Sequence, residues 1–182
     1  MADPSDYLAH DLLKDGTEVT VRAIRREDAA SVLEAFKGLD REAVYRRFFS
    51  PKKELSDAEL KQLTEVDFSR VVALVITTKT GKDETLIGGG RYAVDDAKTP
   101  RSAELAFLTG EGYRGRGIAS LLLKHLKRLA EDAGVPQFEA DVLAENQPML
   151  GVFRHSGLPM RQSREGNVTH VMLSLKGEVK QL

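Results

Sequence analysis

Tyr113-Arg114-Gly115-Arg116-Gly117-Ile118-Ala119-Ser120 is the stretch on which the reading of this chain turns. Before it, Ser102-Ala103-Glu104-Leu105-Ala106-Phe107-Leu108-Thr109-Gly110 is an apolar run broken by one carboxylate. After it, Ile118, Leu122, Leu126, Leu129 and Ala133 recur at helical spacing. The order predicted is strand, glycine loop, helix. Glycines let backbone N–H groups approach an anion without interference from a Cβ, and the opening helix aims the positive end of its dipole at the same spot. The segment reads as a phosphate cradle, with Arg114 and Arg116 adding positive charge for a pyrophosphate. The plainer alternatives are a solvated charged loop for the arginines and a simple turn for Gly115 and Gly117. No Gly-Lys-Ser/Thr ending makes it a P-loop, and the dinucleotide fingerprint would need glycines at three fixed positions.

The flanking sequence gives a mixed α/β order. Val19, Val21 and Ala23 alternate with Thr20, Arg22 and Ile24 as a first strand, and a helix follows over about residues 27 to 37. A second helical piece near 41 to 49 ends at Ser50-Pro51. Ser56-Asp57-Ala58-Glu59 is a capping-box pattern opening a third helix. Residues 71–78 are rich in β-branched side chains and 85–94 can return antiparallel, although Gly88-Gly89-Gly90 weakens that strand and marks a candidate bulge. Strand 102–110, helix 117–133 ending before Gly134, strand 138–143, helix 147–156 and strand 167–175 complete the expectation.

Composition narrows the classes. A chain of 182 residues fits one domain with a substantial core. The expected division is a polar lead-in over 1–16 and a single domain over 17–182. With 27 basic and 28 acidic residues the net charge is −1, which argues for neither a nucleic-acid nor a membrane partner. The absence of cysteine excludes disulfides, thiolate metal sites and a cysteine acyl-enzyme. Met1-Ala2-Asp3-Pro4-Ser5-Asp6 has no signal-peptide character, and no run reaches membrane-spanning length, so a soluble cytoplasmic protein is expected. His10, His125, His155 and His170 show no metal-ligand spacing and are expected as surface or cap residues; no metal is expected.

Arg114-Gly115-Arg116-Gly117-Ile118-Ala119 fits at every fixed position the Gln/Arg-x-x-Gly-x-Gly/Ala signature of the GNAT acyl-CoA-dependent N-acyltransferases, a family that the chain resembles on both sides of the motif. Ala103-Glu104-Leu105-Ala106-Phe107 resembles the family's fourth strand. Ala144-Glu145-Asn146-Gln147-Pro148-Met149-Leu150, Phe153 and Gly157-Leu158 resemble the segment flanking the pantetheine arm. Leu13-Lys14-Asp15-Gly16-Thr17, Val21-Arg22-Ala23-Ile24-Arg25, Arg46-Arg47-Phe48-Phe49-Ser50-Pro51 and Glu54-Leu55-Ser56 extend the likeness, over most of residues 12–175, to bacterial protein lysine acetyltransferases that modify acyl-CoA synthetases. The resemblance implies an α/β (α+β) GNAT fold. Its mixed, mostly antiparallel sheet is flanked by helices, and a splayed strand pair forms the acyl-CoA cleft.

It also implies acetyl-CoA as cosubstrate and direct transfer to an amine, the favoured acceptor being a protein lysine, such as one on an acyl-CoA synthetase. A lysine amine titrates near ~10.4, so it must lose a proton before attack. Glu104 is the implied base, against the alternative of a solvated strand carboxylate. Leu108, Thr109 and Gly110 are implied cofactor contacts, with a backbone N–H near Leu108 stabilising the oxyanion, against ordinary ladder bonding. Arg114 through Ser120, namely Arg114, Gly115, Arg116, Gly117, Ile118, Ala119 and Ser120, would hold the pyrophosphate. Asn146 would contact the cofactor, cap a helix, or both. Phe153 stands where many relatives carry a tyrosine that protonates the CoA thiolate; it has no proton to give and is expected to pack beside the cofactor. Tyr92 and Tyr113 are the other phenols considered. Arg46-Arg47-Phe48-Phe49 would shape the acceptor site or serve as core with solvated arginines. A small-molecule amine acetyltransferase and a non-catalytic acyl-CoA-binding regulatory module are the alternative functions.

Overall fold

Branched side chains suit a pleated strand, and helices start where polar caps meet apolar periodicity. These rules place most elements of the structure, a computed structural model that describes residues 3–39, 41–48, 54–110 and 112–176, with the backbone alone at 41, 43, 46 and 48. In chain order they are β1 (Leu8–Leu12), β2 (Glu18–Ala23), α1 (Ala29–Lys37), α2 (Arg41–Phe48), α3 (Asp57–Thr64), β3 (Val71–Thr80), β4 (Asp83–Asp95), β5 (Ser102–Thr109), α4 (Ile118–Asp132), β6 (Gln137–Leu143), α5 (Gln147–Arg154), β7 (Met160–Glu165) and β8 (Val168–Ser174). The expected capping box opens α3: Ser56 Oγ accepts from the Glu59 N–H at 3.1 Å and Glu59 Oε1 from the Ser56 N–H at 3.4 Å.

The strands form one eight-stranded sheet in the order β1-β2-β3-β4-β5-β6-β8-β7. All neighbours are antiparallel except β5 and β6, which run parallel and pair only at Ala103↔Phe138 and Glu104↔Glu139. Beyond those pairs the two strands separate. The anticipated bulge lies beside the glycine run: Thr77 pairs with Leu86 and Ile76 with Gly88, leaving Ile87 as the extra residue. Both strands that sequence patterning missed are at the sheet's edges. β1 arises within the expected lead-in and leaves Leu8 and Leu12 each 58% exposed, while β7 is exposed along almost its whole length. A strand with almost no buried face, such as β7, carries no hydrophobic alternation to detect, and β1 inverts the pattern by turning its leucines outward.

The main core lies between the sheet and α4 and α5. Ile118, Leu122, Leu126 and Leu129 of α4 are buried there as the periodicity predicts, whereas Ala133 falls at the exposed C-cap and Gly134 follows with φ 73°. A smaller cluster of Ile24, Ala73 and Val75, joined by Val32 of α1, lies on the opposite face. No helix among the described residues is long and apolar enough to cross a membrane.

Two buried polar assemblies fix the N-terminal elements. Arg22 donates to Asp28 Oδ2 and Oδ1 at 2.8 and 2.7 Å and to Glu84 Oε1 at 3.0 and 2.7 Å. The Arg25 N–H donates to Asp28 at 2.7 Å, so one carboxylate both neutralises a buried guanidinium and sets the turn before α1. Asp28→Ala leaves Arg22 short of its buried partner and is expected to lower unfolding free energy by about 3 kcal/mol in urea titration.

His125 corrects the expectation of a surface histidine. It is buried in α4, bonded to the Tyr7 hydroxyl at 2.5 Å and to Asp11 at 3.2 Å, and so ties β1 and the turn before it to the helix. Burial lowers its pKa below the usual value against the opposing pull of Asp11. A histidine depressed in the folded state contributes stability above its unfolded pKa of ~6.5 and loses it as pH falls through the folded value. The melting temperature should therefore fall between about pH 7 and pH 5, and that fall should shrink in His125→Gln, as read by thermal melts across the pH series.

Candidate active site

The separation of β5 from β6 opens a cleft of about 760 Å³, a size suited to a cofactor. At one end the chain turns from β5 into α4 through Gly115 (φ 75°) and Gly117 (φ 85°), backbone that glycine adopts without strain. Gly117 is the N-cap of α4, and the N–H groups of Ile118, Ala119 and Ser120 begin a helix with no preceding carbonyls to bond. Arg114, Gly115, Gly117, Ile118, Ala119 and Ser120 all line the cleft. Lys14 joins them unforeseen. Its side-chain carbons would lie 3.2 Å from a Cβ placed on Gly117, which sets its aliphatic stem against the glycine turn. The residue lies in a turn next to the edge strand β1, and nothing in the local sequence points it toward a loop a hundred residues away. The cradle's fit to a pyrophosphate rests on these positive-φ turns, the exposed helix start and the two cations Lys14 and Arg114.

Arg116 and Gly110 lie outside the cleft lining. Arg116 reaches Asp15 at 3.8 Å and covers the Tyr113 ring at 5.1 Å. Gly110 approaches β4, its N–H donating to the Ile87 carbonyl at 2.8 Å. That bond also narrows which backbone N–H near Leu108 is open to the cleft. Antiparallel ladders alternate residues that exchange backbone bonds with residues whose groups point outward. With Gly110 bonded to Ile87 and the register running Gly88↔Thr109, Gly89↔Leu108 and Gly90↔Phe107, the Leu108 backbone faces Gly89. Phe107 and Thr109 turn their N–H and C=O groups toward the opened gap. Thr109 remains a cofactor candidate, Phe107 is added, and Leu108 contributes its side chain to the cleft.

Glu104 lies at the far end, exposed and lining the cleft, on the opposite face of β5 from Phe107. Its register partner on β6, Glu139, is buried and ion-paired with Lys98, with His170 at 3.5 Å. Burial opposes ionisation of Glu139, and Lys98 overcomes it to hold the carboxyl below its usual range. Two arginines within electrostatic reach of Glu104 were not recognised as a pair from the sequence. Arg47 of α2 lines the cleft and is pulled down to about 10 by burial, with Arg91 adding repulsion and Glu104 opposing. Arg91 of β4 is also lowered by burial, against the attraction of Glu104. Arg47 is therefore no solvated surface arginine. Phe49, Ser50 and Pro51 lie outside the described residues, as do the side chains of Arg46 and Phe48.

Asn146 caps α5, accepting from the Met149 N–H at 3.4 Å, and lines the cleft, so its two expected roles coincide in place. Phe153 is 1% exposed, packs 6.3 Å from the Phe107 ring and also borders the cleft. Tyr92 is 1% exposed in the core, its phenol pushed up to about 12 by burial, and is absent from the cleft lining. Tyr113 does line it. Among the described residues no cluster of His, Cys, Asp or Glu could hold a metal ion.

The sequence profile of the acetyltransferase (GNAT) family matches residues 41–158. The chain belongs to that family. Acetyltransferase Pat of Mycolicibacterium smegmatis is 36% identical over 116 residues, a match covering 64% of this chain and 34% of that protein, so the chain corresponds to about a third of its relative. Acetyltransferase PA5475 of Pseudomonas aeruginosa is 28% identical over 137 residues, covering 75% of this chain and 73% of that one. The crystal structure of the GNAT domain of S. lividans PAT superposes with a TM-score of 0.82 at 31% identity, covering 92% of this chain and 96% of that domain.

The geometry of this GNAT domain separates backbone from side-chain contributions to anion binding. Gly117→Val places a branched residue at φ 85° against Lys14 and should weaken CoA binding by about tenfold or more. Arg116→Ala removes a solvent-accessible ion pair and a ring contact outside the cleft lining and should change affinity less than about threefold, both read by isothermal titration calorimetry.

Proposed function

We propose that the chain is a cytoplasmic, acetyl-CoA-dependent N-acetyltransferase that transfers an acetyl group directly to an amine, the favoured acceptor being a lysine side chain of a protein such as an acyl-CoA synthetase. The observation that carries this reading is the position of Glu104, accessible at one end of a cleft whose other end is a glycine-built anion cradle. Family membership and the likeness to Pat-type acetyltransferases support it.

When bound, acetyl-CoA supplies a thioester whose carbonyl is open to attack. Lys14, Arg114 and the first-turn N–H groups of α4 would hold its phosphates, and the outward backbone groups of Phe107 and Thr109 would bond the pantetheine arm. A backbone N–H from this pair would stabilise the oxygen on which charge develops, a contribution of roughly 3 kcal/mol where the donor is preorganised. Glu104 takes the proton of the acceptor ammonium directly or through water. Phe153 packs against Phe107 and offers no proton, so the departing thiolate is protonated by water, consistent with a free-thiol pKa near ~8.5.

The missing phenol at position 153 is also what a non-catalytic acyl-CoA sensor would show, and the exposed Glu104 weighs against that reading. Incubation with acetyl-CoA and either acyl-CoA synthetases or a panel of free amines, followed by mass spectrometry, tests the proposal. Site-specific lysine acetylation should fall by ~10²–10⁴-fold in Glu104→Gln while CoA affinity is retained. Products only with free amines would reassign the acceptor, and binding without any product would favour the sensor.

A further inference from the structure

Glycine is unfavourable inside a strand unless something approaches its backbone closely, yet β4 carries Gly88-Gly89-Gly90. Packing against α4 accounts for two of them. A Cβ on Gly88 would lie 2.9 Å from the Ile118 side chain, and one on Gly90 would lie 2.8 Å from Phe107 and 3.3 Å from Leu126. Gly89 points to the other face, where an added Cβ would meet only the Leu74 carbonyl, at 3.3 Å. No side chain requires its absence. On that face lies a second cavity of about 90 Å³, roofed by Val32 and Ala35 of α1 and by Leu39 just beyond it, and floored by the glycine run. This is several times the ~10–15 Å³ that admits a single water-sized group. It adjoins the cofactor cleft, because Arg47, Ala106 and Leu108 border both, and Gly89 is the direct partner of Leu108.

We propose that this cavity is an acyl-chain pocket, and that the chain accepts uncharged acyl groups of about four carbons as well as acetyl. The proposal rests on the acetyltransferase reading above, which puts the thioester beside β5 at the mouth of the pocket. An apolar cavity at that point receives the carbons beyond the carbonyl. Its lining is otherwise aliphatic side chains and glycine backbone, with the half-buried Arg47 and Arg91 at its border, so it suits an uncharged alkyl chain better than a cation. Glu104 lies on the same face of β5 but outside the cavity lining, and the acceptor ammonium approaches it there. Transfer is unchanged in chemistry: the amine nitrogen bonds the acyl carbon, the C–S bond breaks with its electron pair on the CoA sulfur, and the proton from nitrogen passes to Glu104 or water.

The test compares acetyl-, butyryl- and succinyl-CoA by calorimetry and by transfer to whichever acceptor takes acetyl. Burial of each methylene is worth about fourfold in affinity, so butyryl-CoA should bind on the order of tenfold more tightly than acetyl-CoA and be turned over. Ala35→Leu fills the pocket from α1, and Gly89→Ala narrows it from the floor. Each should abolish the butyryl advantage while leaving acetyl-CoA binding within about twofold, and the helix-compatible Ala35→Leu keeps the test valid should the strand variant misfold. Acetyl transfer with no butyryl advantage would overturn the pocket alone. A preference for succinyl-CoA would overturn a neutral occupant, and a raised acceptor KM in Ala35→Leu with every donor alike would give the pocket to the acceptor. Failure of every acyl-CoA to bind would remove the underlying acetyltransferase reading as well.

Discussion

The parting of β5 from β6 is the constraint on which the site depends. β5 is fully laddered to β4, and β6 pairs with β8 over its whole length, but the two halves of the sheet join only at Ala103↔Phe138 and Glu104↔Glu139. Backbone N–H and C=O groups are obligatory hydrogen-bonding groups, so a strand that leaves its neighbour must find partners elsewhere. On β5 the groups left without a strand partner are those of Phe107 and Thr109, on the side where the gap opens. A ligand carrying amides of its own can replace the missing strand. The buried Phe107–Phe153 contact belongs to the same arrangement, since it sets α5 against β5 beside the gap.

Charge is distributed along the cleft in the order that this chemistry needs. The cations Lys14 and Arg114 stand with the helix start at one end, and Glu104 stands at the other. Register alone would set Glu104 beside Glu139 as two like charges, an unfavourable cross-strand pair. Lys98 reaches from the loop after β4 to neutralise Glu139, which leaves Glu104 as the carboxylate open to an incoming ammonium. Arg47 and Arg91 lie within electrostatic reach of Glu104 and border the apolar cavity, which Glu104 does not line.

Local rules made much of this legible. Ser56 and Glu59 announced the start of α3, the 3.6-residue recurrence of Ile118, Leu122, Leu126 and Leu129 announced α4, and Gly115 and Gly117 announced the turn between β5 and that helix. Glu104 stood out as the one carboxylate in an apolar strand. The edge strands β1 and β7 were illegible for related reasons: β7 has almost no buried face to report, and β1 turns its leucines outward and Ala9 and Asp11 inward, the reverse of the usual pattern. His125 was illegible for a different reason. Its partners Tyr7 and Asp11 lie more than a hundred residues away, and a buried histidine is distinguished from a surface one only by such partners.

The sequence by itself determined the inner strands, the helices and the chemistry available to them: a glycine cradle at a helix start, an acidic residue in an apolar strand, and side chains able to cover both faces of a sheet. These are properties of neighbouring residues, written in turn preferences, capping and periodicity. Only the tertiary structure decided that Phe107 and Thr109, rather than Leu108, face the gap, that Lys14 joins the anion cradle while Arg116 turns to Asp15, and that Gly89 floors a cavity. Each of those outcomes depends on strand register and on contacts between segments distant in the chain. Shifting register by one residue reverses every outward group, and a single strand carries no information about which register its neighbours will impose.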